Sequence, residues 1–405
     1  MDSPYTRELQ VAIAAVSAAA RLSTLVLTHA SGLGTVAKDD LSPVTVGDFA
    51  IQALLTSTIH AAFPQDRFVG EESADALREN PALLDRVWAV LRAIEEQLAQ
   101  ERSMHHDSDK KYNHLVTFPT SPAQMCQMLD WCGQGTPSAS SDDDDDDDDD
   151  ATDSNSRIWV FDPIDGTENF VKGLLYAINV AMLCRQDTDT GPGAAGAISQ
   201  VLSVVGCPNM AGNISFPASD DSLDPSGCGC LLYGVRGHGA YERRPLLPAG
   251  YDGTAASLQQ TYPPSELPWL SSLMNTTTST TPISNPIPPS VLAPSYPGSV
   301  LLPWVLRWVL LALGVGNATW WIYKSRSRLA KIWDHAGAML LFEEVGGQVS
   351  DADGKPINWA AGRQMVDNWG IVAAPRAEGV FDRVIGTVKQ VVREKRPDLV
   401  EGREE

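Results

Sequence analysis

Residues 159–173 read WVFDPIDGTENFVKG, and this stretch constrains the fold of the chain more tightly than any other. Ile158 to Phe161 are an unbroken apolar run closed by Pro163, the pattern of a short buried strand that delivers Asp162 at its C-terminal end. The proline is expected to stop the strand, and Gly166 and Thr167 to open a helix. Asp162 and Asp165 then face one small volume, with the Ile164 carbonyl between them as a third hard oxygen. Two acids this close repel one another unless a cation sits there. The free N–H groups at the helix start put an anion site beside that cation site, and the combination suggests phosphate. A second reading also stands at this point, since Asp-Pro-x-Asp-Gly makes ordinary turn and cap residues in many proteins.

At 405 residues and 43% apolar composition the chain can hold two domains with real cores. Its formal charge is −21, of which nine charges form the run of aspartates at 142–150, leaving −12 elsewhere. That balance argues against a nucleic-acid polymer as partner, so an acidic protein that handles phosphate must supply cations locally. The six cysteines show no paired C-x-x-C spacing, which disfavours zinc and a disulfide framework. The first residues lack the basic and apolar regions of a secretory leader, so a cytoplasmic or nuclear home is expected. The one membrane candidate read from hydropathy, 308–323, has sixteen uncharged residues, shorter than the ~20 a spanning helix needs, and is read as a buried helix and strand. No membrane partner and no obligate protein partner are inferred.

Along the chain, Leu9, Ile13, Val16 and Ala20 recur at helical spacing, predicting a helix to about Val26. A second helix carries Ile51, Leu55 and Ile59 on one face, which puts Asp48 at its start, where it can act as an N-cap. Phe68 to Ser73 read as a short strand ending in Glu71 and Glu72, and 74–103 as a polar helical pair. Residues 133–156, rich in Gly, Pro, Ser and Asp, are expected to be a disordered acidic insertion. Residues 176–183, 194–206, 229–233 and 237–241 read as strands of an antiparallel sheet. The Pro/Ser/Thr-rich stretch 245–299 reads as a linker dividing a first domain (1–244) from a second (300–405). In the second, a helix at 305–313, a strand at 319–323, a helix after Asp334, a hairpin at 348–357, a strand at 370–374 and a helix with Phe381, Val384, Val388 and Val391 make an α/β layer.

Four separated pieces belong together: Ser42-Pro43-Val44-Thr45 with Asp48, Gly70-Glu71-Glu72-Ser73, Asp162-Pro163-Ile164-Asp165-Gly166-Thr167, and Trp333-Asp334-His335-Ala336-Gly337. In this order they resemble the lithium-sensitive, magnesium-dependent phosphatases of the inositol monophosphatase superfamily. Lys38 to Thr45, Val205 to Asn209 and Lys331 to His335 are similar to its 3'(2'),5'-bisphosphate nucleotidase branch, which removes the 3'-phosphate of adenosine 3',5'-bisphosphate. The resemblance implies a layered α/β (α+β) sandwich, an antiparallel-sheet N-terminal domain with a smaller C-terminal α/β domain, and an active site between them. It implies a first Mg2+ site at Glu71, Asp162 and the Ile164 carbonyl and a second at Asp162, Asp165 and Asp334, with Glu71 helping to hold a third ion. Such a pair of cations neutralises phosphate oxygens, acidifies water and stabilises the leaving oxygen. The resemblance makes Asp48 and Thr167 the pair that orients the attacking water, and places Gly166 and Thr167 N–H groups on the phosphate.

The substrate side departs from that branch. Arg307 stands for a nucleotide-contacting lysine, Trp304 for a serine and Trp321 for an arginine, and the Gly-Ser-His loop of the nucleotidases is not visible in 270–297. A tryptophan can stack on adenine but cannot hold an anion. Glu168-Asn169-Phe170 is closer to the inositol phosphatase version of the motif. The primary reading is therefore a magnesium-dependent phosphomonoesterase of the bisphosphate nucleotidase type, acting on a small phosphate ester. Its rivals are an inositol-phosphate or sugar-phosphate phosphatase and a non-catalytic phosphate-binding paralogue.

Overall fold

The computed structural model describes residues 3–32, 43–104, 113–137, 157–185, 197–215, 218–246, 255–258, 302–316 and 318–400. The chain starts with helices α1 (Thr6–Gly32) and α2 (Pro43–Ala62), then strand β1 (Arg67–Gly70) and helices α3 (Asp75–Glu79), α4 (Pro81–Met104) and α5 (Pro122–Gly133). Next come β2 (Arg157–Asp165), α6 (Thr167–Lys172), β3 (Ala177–Arg185), β4 (Ile198–Cys207), β5 (Cys230–Val235), β6 (Ala240–Arg243) and β7 (Ala255–Ser257). The remainder is α7 (Trp304–Ala312), β8 (Thr319–Trp321), α8 (Ala338–Glu344), β9 (Gly347–Ser350), β10 (Ile371–Pro375) and α9 (Val380–Lys395).

Strands β1 to β7 form one sheet in chain order, antiparallel except that β1 runs parallel to β2. Strands β8, β10 and β9 form a second, antiparallel sheet with β10 in the centre. Because successive side chains of a strand point to opposite faces, an all-apolar strand can serve two cores. In β3, Ile178, Val180 and Met182 join the core under α1 and α2, whereas Ala177, Ala181 and Leu183 join the core under α7 and α8. That second core continues through β8 to β10 into Val384 and Val388 of α9. The order of layers is thus helices, large sheet, helices, small sheet, helix, the α/β sandwich expected. Carboxylates at strand ends are carried to the rim of the large sheet, where α7 and the Asp334 segment meet it.

Several boundaries differ from expectation. Strand β2 does not stop at Pro163 but runs to Asp165, since the pairing with β3 shifts register between Asp162 and Asp165 and so tolerates a residue without an N–H. Helix α2 begins at Pro43, so Asp48 lies in its second turn rather than at its cap. Residues 348–357 are not a hairpin: β9 pairs with β10, and Asp351 Oδ1 accepts the N–H groups of Asp353 (3.0 Å) and Lys355 (2.7 Å) to close a turn. Helix α5 was not expected, although Ser121 caps it by accepting the Gln124 N–H at 3.2 Å and Pro122 follows as its first residue. Strand β7 lies inside the stretch read as a linker. Among the described residues, one helix is long and apolar enough to cross a membrane, and it is not the 308–323 segment, which is split between α7 and β8; it is Thr6–Thr28 of α1, with 72% of the window buried inside the fold. The aspartate run, Lys38 to Ser42 and the 270–297 stretch lie outside the described residues.

Candidate metal centre

The end of β2 brings two acids into the interior. Asp162 is 2% exposed and Asp165 8% exposed, and one oxygen from each lies within 4.8 Å of the other and of an oxygen of Asp334. Asp334 arrives from the far side of the sandwich, on the short turn Ile332–Asp334 ahead of α8. Asp165 also caps α7: its Oδ2 accepts the N–H of Val305 at 2.9 Å and of Leu306 at 3.4 Å, two of the donors that a helix start leaves free. Burial pushes Asp165 up to about 7 even though those N–H groups hold it down. Asp162 is raised well above the carboxylate range by burial, then by the charges of Glu71, Asp165, Asp334 and Asp48. Asp334 is raised likewise by burial, Asp165 and Glu71, against the pull of Lys331.

Glu71 joins the group through sheet register. Gly70 of β1 pairs with Phe161 of β2 in parallel, so the next residue on each strand is Glu71 and Asp162 respectively. Gln52 of α2 fixes this loop with both ends of its amide, donating to the Glu72 carbonyl at 2.7 Å and accepting the Glu72 N–H at 2.9 Å. Burial raises Glu71, while Lys331 and Arg363 oppose the shift; burial and Glu71 push Glu72 up to about 7. Asp48, one helical turn before Gln52, is raised by burial and by Glu72 and Glu71. Its neighbour Gly47 packs closely on this segment, since a Cβ there would sit 3.0 Å from Ile164 Cδ1. Asp48 lies close enough to Asp162 for its charge to raise that acid.

The donor set fits a hard divalent cation. Asp162 Oδ1 and Asp48 Oδ1 are buried without a hydrogen-bond partner, in a cluster where ionised carboxylates can only accept. A proton or a metal ion satisfies such oxygens, and oxygen-only ligands suit magnesium. The Thr167 hydroxyl donates to the Ile164 carbonyl at 3.2 Å, which leaves that carbonyl a second lone pair. Gly166, at φ 87°, precedes the six-residue helix α6.

Beside the acids stands an aromatic wall. Trp304 and Trp321 are half-buried and meet edge to face at 5.4 Å between ring centroids. Arg307 is 2% exposed, its guanidinium 4.5 Å from the Trp304 centroid and 5.1 Å from that of Trp321. It donates to the Leu302 carbonyl at 3.2 Å and to Thr319 Oγ1 at 3.4 Å, and burial pulls it down to about 10. His335 is fully buried, accepts the Trp308 indole N–H on Nδ1 at 3.1 Å, and is held down to about 3 by burial and then by Arg307. Residues that sequence reasoning missed are the amides bonded to the backbone beside the acids: Gln52 at Glu72, Asn179 on the Trp333 carbonyl at 2.8 Å and Gln200 on the Ala336 carbonyl at 2.6 Å. Asn179, Gln200 and Gln52 are all buried, and a polar side chain inside an otherwise apolar strand or helix face was the available signal.

The family model described as the inositol monophosphatase family matches residues 85–392. A 3'(2'),5'-bisphosphate nucleotidase of Emericella nidulans is 31% identical over 395 residues, covering 96% of this chain and 99% of its own. A 3'(2'),5'-bisphosphate nucleotidase of Schizosaccharomyces pombe is 31% identical over 395 residues, covering 94% of both.

Proposed function

The chain belongs to the inositol monophosphatase family, and we propose that it is a magnesium-dependent 3'(2'),5'-bisphosphate nucleotidase, releasing phosphate from adenosine 3',5'-bisphosphate to leave AMP. The observation that carries this reading is the carboxylate cluster in which buried Asp48, Asp162 and Asp165 meet half-buried Asp334, with Glu71 at its exposed edge. Glu71, Asp162 and the Ile164 carbonyl would hold one ion, and Asp162, Asp165 and Asp334 a second, with Glu71 also reaching a third. Bound magnesium supplies positive charge to the phosphate oxygens and lowers the pKa of water. Asp48, with an unpartnered buried oxygen, would accept the proton of the attacking water through the Thr167 hydroxyl once that hydroxyl turns from the Ile164 carbonyl, to which it donates at 3.2 Å. The N–H groups of Gly166 and Thr167 orient the phosphate, and Trp304 and Trp321 give a nucleobase a surface to stack on.

One observation favours a second reading. Arg307, the residue in line with a nucleotide-contacting lysine, lies beneath two indole rings, so the cation a second phosphate needs is covered. An inositol or sugar monophosphate has no second phosphate and would not require it. Purified protein with magnesium should be assayed against adenosine 3',5'-bisphosphate, its 2',5' isomer and inositol monophosphates. The nucleotidase reading expects the bisphosphates to have the highest kcat/KM; an inositol monophosphate in first place would replace it, and no turnover of any of these esters would remove the enzyme reading.

A further inference from the structure

Arg363 lies in the segment between β9 and β10, yet its side chain is spent on the other end of the chain. Nη1 donates to the carbonyl of Cys132 at 2.7 Å and of Gly135 at 3.3 Å; Nη2 donates to the carbonyl of Gly70 at 2.6 Å and, at 3.5 Å, to that of Glu71. One planar fork thus gathers the C-terminal end of α5 and the end of β1, where Glu71 begins. Its other contacts lead to the opposite acid. The guanidinium lies 4.9 Å from the Trp333 ring centroid, and its own backbone carbonyl accepts the Ile332 N–H at 3.0 Å, two residues before Asp334. An isolated antiparallel bridge between Lys331 and Gln364 fixes the same strip of chain.

We infer that Arg363 is a positioning residue that sets the spacing between Glu71 and Asp334, the two outer acids of the metal centre. Gln52 holds the Glu71–Glu72 loop from the side of α2, and Arg363 holds it from the side of Asp334. No side chain other than arginine reaches this many carbonyls in one plane: lysine keeps the charge but offers a point donor without the fork. Groups that orient metal ligands in this way cost about 10–100-fold in metal affinity or activity when removed. The inference rests on reading Glu71 and Asp334 as metal ligands.

The test is magnesium binding to the metal-free full-length chain by titration calorimetry, with thermal unfolding in EDTA recorded alongside. Arg363→Met is expected to bind magnesium about 10–100-fold more weakly than the parent chain. Arg326→Met is the control, because Arg326 makes a comparable fork to Asp353 and the Leu399 carbonyl and stacks on Trp369 at 4.0 Å, all within the C-terminal segments. It should lower the melting temperature and leave magnesium affinity unchanged. If Arg363→Met does not fold, Arg363→Lys is read in its place and should show a partial loss of affinity. A folded Arg363→Met or Arg363→Lys with parental magnesium affinity overturns the inference. A parent chain that binds no magnesium overturns the metal reading itself, which is a separate and recognisable failure.

Discussion

Asn179 of β3 donates its side-chain N–H to the carbonyl of Trp333 at 2.8 Å, which ties the turn carrying Asp334 to the strand opposite Asp162. The approach is so close that Gly337 has no alternative, for a Cβ there would fall 2.0 Å from Asn179 Oδ1. Asn179→Leu would leave the buried Trp333 carbonyl without its donor, an expected loss of about 1–3 kcal/mol. Gly337→Ala is expected to cost about the same by overpacking. Urea unfolding reads the stability, and phosphate release at saturating magnesium should fall in both. Parental stability in Gly337→Ala would show that the turn can move away freely.

Removing an acid should separate stability from function. Asp162 is buried among four other acids and must take up a proton to fold without metal, so Asp162→Asn in the metal-free chain removes that cost near neutral pH and is expected to raise the melting temperature in EDTA. The same variant, and Asp334→Ala, should lose magnesium-dependent phosphate release, because each uncovers an ion that needs its protein oxygens. Near-parental turnover in both would refute the ligand assignment.

The pH dependence follows with a definite sign. Asp165 is pushed up to about 7, chiefly by burial, and Asp162 and Asp334 are raised by burial and by neighbouring acids. In the metal-free chain these groups keep protons at pH values where the unfolded chain, with ordinary carboxylates near ~4, has released them. Their contribution is fully present below ~4 and is lost as pH rises through the raised values, for Asp165 through about 7. Melting temperature in EDTA should therefore fall across that window, and saturating magnesium should flatten the fall by replacing protons with cations. A melting temperature in EDTA that rises from about pH 5 to 8 would contradict the burial of these acids.

Much of this centre was legible because its acids sit in short local patterns. Local periodicity put Asp162 and Asp165 at one strand end, Glu71 after a strand and Asp334 before a helix, and the resemblance to the phosphatase superfamily joined the four. What holds them was not legible, because the partners are backbone carbonyls far away in the chain. Arg363 and the Gly70 carbonyl are 293 residues apart, and a carbonyl leaves no mark in a sequence. Asp48 reads as a helix start because the apolar spacing begins at Ile51, whereas α2 opens at Pro43, a residue at home in a first helical turn. Strand β2 was cut at Pro163 for the converse reason, since the register shift that accommodates a proline depends on its partner strand.

Under the proposed function, Trp321 is the residue through which substrate choice can be tested. In line with an arginine of the nucleotidases, it instead covers Arg307, and its own indole N–H is buried without a partner. Trp321→Arg removes one ring from above Arg307 and supplies a cation in the same place, a gain of roughly 1.5–3 kcal/mol for a hydrogen bond to a charged group. That corresponds to about ten- to a hundredfold in kcat/KM on adenosine 3',5'-bisphosphate, with a minimal phosphate ester almost unaffected, because the change touches recognition and not the acids. Two guanidinium groups at this spacing also repel, so the variant should melt below the parent chain unless the bisphosphate is present. Steady-state kinetics on both esters, with thermal unfolding with and without the nucleotide, reads all three effects. A fall in kcat/KM on the bisphosphate would instead make Trp321 a stacking surface for the base, and the aromatic wall would then be the element that selects the substrate.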